Sequence, residues 1–181
     1  MRYGALVLGL MGALFLVAGG ASAQGVQGVY ANTNVEVYGG FTYFRFYEVP
    51  HVATNMEGVN FSVAYYPRPW VALDGEVVGA FGSQSGTDTK YFMGVAGPRF
   101  RWSGPHGIDV WGHALGGGTY FSPQTPYGNQ EAFAFELGGG IDLTSPRRRF
   151  AYRVSADMVG TTYFSTYQLS PKVSAGIVFK F

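Results

Sequence analysis

Glu131-Ala132-Phe133-Ala134-Phe135-Glu136-Leu137-Gly138-Gly139-Gly140-Ile141-Asp142-Leu143 is the stretch that decides the fold. One parity holds Phe133, Phe135, Leu137, Ile141 and Leu143; the other holds Ala134, Glu136, Gly138, Gly140 and Asp142. Successive side chains of a strand point to opposite faces, so this period of two predicts a strand with one large apolar face and one small or acidic face. Glu57 to Tyr66, Trp70 to Phe81 and the terminal Lys172 to Phe181 alternate in the same way. Four less regular segments, Val35 to Tyr47, Thr89 to Trp102, Ile108 to Phe121 and Arg149 to Tyr163, complete a set of eight. In Ile108 to Phe121 the polar Asp109 and His113 share a parity with Trp111 and Leu115, and all four are assigned to the polar side.

The connections alternate in character. Pro67 to Pro69, Ser103 to Gly107 and Thr144 to Arg148 read as tight turns rich in Pro and Gly. Glu48 to Asn55, Gly82 to Asp88, Ser122 to Gln130 and Phe164 to Thr166 fall between them as the other set of connections, three of them longer. An antiparallel up-and-down barrel with both termini on the tight-turn side fits this layout. Roughly 18 residues per strand and connection suffice for the 9–11 that cross a bilayer at a tilt.

Composition narrows the setting. Only 13% of the 181 residues are charged, about half the usual share of a soluble domain. Lys and Arg number 12 against 11 Asp and Glu, so no net field attracts nucleic acid. The absence of cysteine removes disulfides, thiolate metal sites and a Cys nucleophile. Residues 1–23 carry one cation at Arg2, an apolar core and then Ala21-Ser22-Ala23, the pattern of a secretory signal peptide cleaved before Gln24. Residues 24–34 read as a short periplasmic lead-in, and residues 35–181 as the barrel.

Period two alone does not say which face is wet. The polar parity is mostly Gly, Ala, Ser and Asn with a few balanced charges, which suits a narrow lumen better than a water-facing exterior. Aromatics gather toward strand ends: Tyr43, Phe44, Phe46 and Tyr47; Tyr65, Tyr66 and Trp70; Phe100 and Trp102; Tyr120 and Phe121; Phe150 and Tyr152; Tyr163, Phe164 and Tyr167. They predict two girdles at the membrane interfaces. A soluble carrier barrel, greasy inside, is the alternative.

A signal peptide, eight alternating strands and a final Gly176-Ile177-Val178-Phe179-Lys180-Phe181 together resemble the small outer-membrane β-barrels of the OmpA transmembrane-domain and OmpX type. The resemblance implies a bacterial outer-membrane location. It also implies that Phe179 and Phe181, with Ile177 and Ala175, carry the signal read by the barrel assembly machinery. The chain ends at Phe181, so no peptidoglycan-binding domain is expected.

The lumen parity contains Glu36, Asp74, Glu76, Arg99, Arg101, Asp109, Glu136, Asp142, Arg153, Asp157, Lys172 and Lys180, seven acids and five bases. This set predicts an ion-pair network filling the interior, with Arg101 beside Asp109 and Lys172 near Asp157. A narrow pore is the alternative use of the same residues. Some small barrels of this kind modify lipid A, with His and Ser at the rim. Here only His51 falls on a suitable face, His106 lies in an opposite turn, and His113 sits within a strand. No catalytic residue, cofactor or metal is expected, since three scattered histidines lack His-x3-His spacing. Gly116 to Gly118 and Gly138 to Gly140 lack the Lys and helix of a phosphate loop. The expected role is structural or surface-interacting, as a monomer among outer-membrane lipids, with an extracellular partner met through the loops.

Overall fold

The structure, a computed structural model, describes residues 34–49, 52–84, 87–123, 130–144, 149–163 and 167–181. The signal-peptide reading, the lead-in before Asn34 and His51 lie outside the described residues. Eight strands follow one another: β1 Val35–Val49, β2 Val52–Arg68, β3 Val71–Gln84, β4 Thr87–Ser103, β5 Ile108–Pro123, β6 Gln130–Thr144, β7 Phe150–Thr161 and β8 Gln168–Lys180. Each pairs antiparallel with its neighbours, and β1 pairs with β8 to close the barrel. Among the described residues no helix is long and apolar enough to cross a membrane. Closure leaves no unpaired edge, the condition for putting backbone into hydrocarbon.

Alternation sorts the side chains as the sequence reading requires. Leu73, Phe133, Leu137 and Tyr152 stand on the outside, each 58–64% exposed, whereas Asp74, Glu136 and Arg153, of the other parity on the same three strands, are buried. Lipid is the only medium that accepts such an exterior. Asp109, Trp111, His113 and Leu115 all point inward, as assigned for β5.

Two expectations are corrected. The segments Glu48 to Asn55 and Gly82 to Asp88 are mostly strand, because the ladders continue to Val49↔Val52 and Gln84↔Thr87. Hydrophobic alternation stops where lipid stops, but backbone groups still need partners above that level. The girdles are the second correction. Tyr43, Tyr65, Trp70, Phe100, Trp102, Tyr152 and Tyr167 are exposed outside, but Phe44, Phe46, Tyr66, Phe121 and Tyr163 are buried inside. Parity, not proximity to a strand end, decides the face: Phe44 and Phe46 share the parity of Glu36 and Thr42.

The tight turn after β4 is a 3-10 turn over Pro105–Gly107. His106 and Gly107 there have φ of 63° and 78°, a left-handed conformation that Gly107 adopts freely and that seats His106 in the turn. His106 therefore belongs to the connection and is remote from the lumen cluster described next.

Candidate functional site in the barrel lumen

The interior has two layers. At the end where the termini meet, and up to mid-height, charged side chains fill it; toward the other end aromatic and aliphatic side chains dominate, with uncharged polar ones such as Thr119, Ser170 and Gln168 among them.

Glu36 of β1 is a hub of the lower layer. It accepts hydrogen bonds from Arg101 Nη1 at 2.7 Å, Arg153 Nη2 at 3.0 Å and the Tyr66 hydroxyl at 3.3 Å. Lys180 Nζ is 3.6 Å from it and Arg99 Nη1 3.9 Å. Asp142 receives the Trp111 indole N–H at 3.0 Å and two nitrogens of Arg153. Arg99 and Arg153 lie over the Trp111 ring at 4.2 and 4.7 Å, so the indole is held by two guanidinium groups. Arginine suits these positions because its fork and weak hydration let it enter a dry interior with carboxylate partners.

Arg101 and Asp109, expected side by side, are not paired. Across β4 and β5, Arg101 is level with Trp111 and Asp109 with Ser103. Arg101 turns instead to Glu36 and to the Pro69 carbonyl, at 2.9 Å from Nη2, while Asp109 accepts from Lys180 Nζ at 2.8 Å.

At mid-height Lys172 Nζ donates to Glu76 and to Glu136 Oε1, the latter at 2.7 Å, and lies 3.6 Å from Asp157 Oδ2. Asp157 and Lys172 are opposite each other on β7 and β8. His113, which the sequence did not distinguish from an ordinary lumen residue, joins the two groups. Its Nδ1 is 3.2 Å from Asp74 Oδ2; its Nε2 is 3.1 Å from Asp157 Oδ1 and 3.3 Å from Glu136 Oε1. Asp74 is in turn gripped by Arg99 Nη2 at 2.6 Å. The signal available was its parity with Trp111 and Leu115 on β5. That placed it inside without saying which carboxylates it would meet.

Above this layer Phe46 packs against the rings of Phe44, Tyr91, Phe121 and Tyr163, with centroids 5.0–5.8 Å apart. Met56, Val78, Met93, Val95 and Leu115 extend the same cluster. Tyr91, Met93 and Val95 lie on the irregular β4, where no clean alternation announced them.

Phe179 stands on the outer wall, opposite Val37 on β1 and Phe150 on β7. Phe181 extends the closing ladder, exchanging backbone bonds with Val35 at 2.9 and 3.3 Å.

An apolar exterior, a closed eight-stranded sheet and a lumen of ion pairs define a membrane-spanning barrel of the outer-membrane type. The fold is similar to that of Neisserial surface protein A, with a TM-score of 0.70 at 12% identity, covering 82% of this chain and 97% of that one. It is also similar to Ail, the attachment invasion locus protein of Yersinia pestis (TM-score 0.54, 18% identity, 81% and 97% covered). The outer membrane protein OprG from Pseudomonas aeruginosa is a third (TM-score 0.53, 8% identity, 81% and 95% covered). No protein-family model matches the chain, and no curated protein sequence matches it.

Proposed function

We propose that this protein is a resident of the bacterial outer membrane with a structural and surface-interaction role, its bore sealed rather than conducting. The observation that carries the reading is the stack of Phe44, Phe46, Tyr91, Phe121 and Tyr163 above the ion pairs. An eight-strand bore is just wide enough to be filled by side chains, and large aromatic rings across it take up the space an ion would need. The β1–β2 ladder runs on to Val49↔Val52, and outward rim residues such as Arg45 and Lys90 are available to an extracellular partner. The surface and attachment names of two structural neighbours accord with such a role. Phe179 and Phe181 serve assembly through the last strand, the wall contacts outer-membrane lipids, the barrel works as a monomer, and the role is not catalytic.

Conductance in planar bilayers tests the sealed bore. The refolded protein should give a flat current trace, and discrete steps from the wild type would establish a pore instead.

A further inference from the structure

The lumen charges do not balance. Seven buried carboxylates, Glu36, Asp74, Glu76, Asp109, Glu136, Asp142 and Asp157, face the guanidinium and ammonium groups of Arg99, Arg101, Arg153, Lys172 and Lys180. With His113 neutral two negative charges are left over inside a closed wall, and with it protonated one, and an uncompensated charge there is costly. The surplus lies at mid-height. There Asp74 is matched by Arg99, while Glu76, Glu136 and Asp157 share the single ammonium of Lys172.

The same place has the geometry of a cation site. His113 Nε2 is 3.1 Å from Asp157 Oδ1 and 3.3 Å from Glu136 Oε1, and one ligand atom from each of the three buried residues lies within 4.8 Å of the others. A single N–H aims at only one of two oxygens at full strength. A metal bonded at ~2.1 Å to the imidazole nitrogen and to either carboxylate oxygen would subtend an angle of about 95–105° between them, between octahedral and tetrahedral values. Glu136 Oε2 is buried without a hydrogen-bond partner, a free acceptor on one of the three residues. The outer contacts fit too. Asp74 faces Nδ1 at 3.2 Å and would hold the ring with Nε2 unprotonated and free to ligate, and Ser155 Oγ donates to Asp157 Oδ2 at 3.2 Å.

We propose that His113, Glu136 and Asp157 bind one first-row divalent cation of the zinc class in the centre of the barrel. The cation replaces any proton on His113 Nε2 and balances the seven carboxylates, and Lys172, which otherwise donates to Glu136 Oε1 at 2.7 Å, gives up that oxygen and keeps Glu76 as its partner. One imidazole and two carboxylates form a hard-to-borderline donor set that suits such ions.

The test uses the barrel refolded from urea into detergent with ZnCl2, then passed over a chelating resin. Wild type should retain about one zinc per chain, and the X-ray absorption spectrum at the zinc edge should show one imidazole among oxygen ligands. Glu136→Gln and Asp157→Asn, checked for folding by their heat-modifiable gel mobility, should each lose zinc by roughly tenfold or more. Wild type retaining under about a tenth of an equivalent, or folded variants retaining as much as wild type, would overturn the proposal. If neither variant folds, the wild-type spectrum decides alone: zinc without an imidazole ligand also refutes the site.

Discussion

Arg153 and Asp142 are opposite each other on β7 and β6, and they meet as a two-pronged pair, Nε to Oδ1 at 2.7 Å and Nη2 to Oδ2 at 2.7 Å. The same guanidinium reaches Glu36 on β1, so one side chain ties three strands together across the interior. Arg153→Met should therefore leave the buried Asp142 with only the Trp111 indole N–H, take one of several partners from Glu36, and destabilise the barrel by about 3–5 kcal/mol. Arg153→Lys restores the charge but not the fork and should recover only part of the loss. Urea unfolding midpoints in lipid vesicles, read by Trp fluorescence, check this; a wild-type midpoint for Arg153→Met would refute the network's structural weight.

Two glycines separate close packing from mere smoothness. A Cβ on Gly138 would collide with the Asp157 carboxylate and the Ala156 carbonyl, whereas one on Gly118 would meet nothing within 4 Å. Gly138→Ala should sharply lower the yield of the heat-modifiable form. Gly118→Ala should fold like wild type, within about 0.5 kcal/mol. Equal yields for the two variants would show that the Gly138 approach imposes no constraint.

The aromatic layer makes a stability prediction separate from conductance. Phe46 is fully buried among four rings, and Phe46→Ala should cost about 3–5 kcal/mol through the cavity it leaves. Phe133 faces lipid, which closes over the gap left by Phe133→Ala, so its loss should cost clearly less. Unfolding titrations of both variants decide it, and a larger loss at Phe133 would contradict the assignment of faces.

Leu137 sits midway along β6 on the outer wall, 60% exposed. Leu137→Arg should cost about 2–4 kcal/mol in a bilayer, while Asn55→Arg, beyond the apolar belt, should cost about 0–1 kcal/mol. Folding free energies in vesicles measure the difference. Equal costs would mean that this wall does not face hydrocarbon.

The eight strands, their up-and-down order and the faces of the four regularly alternating strands were legible in the sequence, whereas the inward Phe44, Phe46 and Tyr91 of less regular strands were not. Side-chain parity reports the medium on each side of a strand, and the medium here changes from lipid to lumen. Even the awkward β5 yields to that logic, with Trp111 and Leu115 inward. Strand ends were less legible: alternation stops at the interface while the Val49↔Val52 and Gln84↔Thr87 pairs continue the ladder.

The partners inside the lumen belong to the tertiary structure alone. Inward side chains meet across the bore, so Glu36 finds Arg101 and Arg153, 65 and 117 positions away in the chain. Sequence spacing suggests Arg101 with Asp109 because they flank one turn, but Asp109 finds Lys180 at the closing strand. Likewise nothing local to His113 announces Asp74, Glu136 and Asp157, which arrive from β3, β6 and β7. Local periodicity sets which way each residue points; the stagger with which the sheet closes sets what it points at.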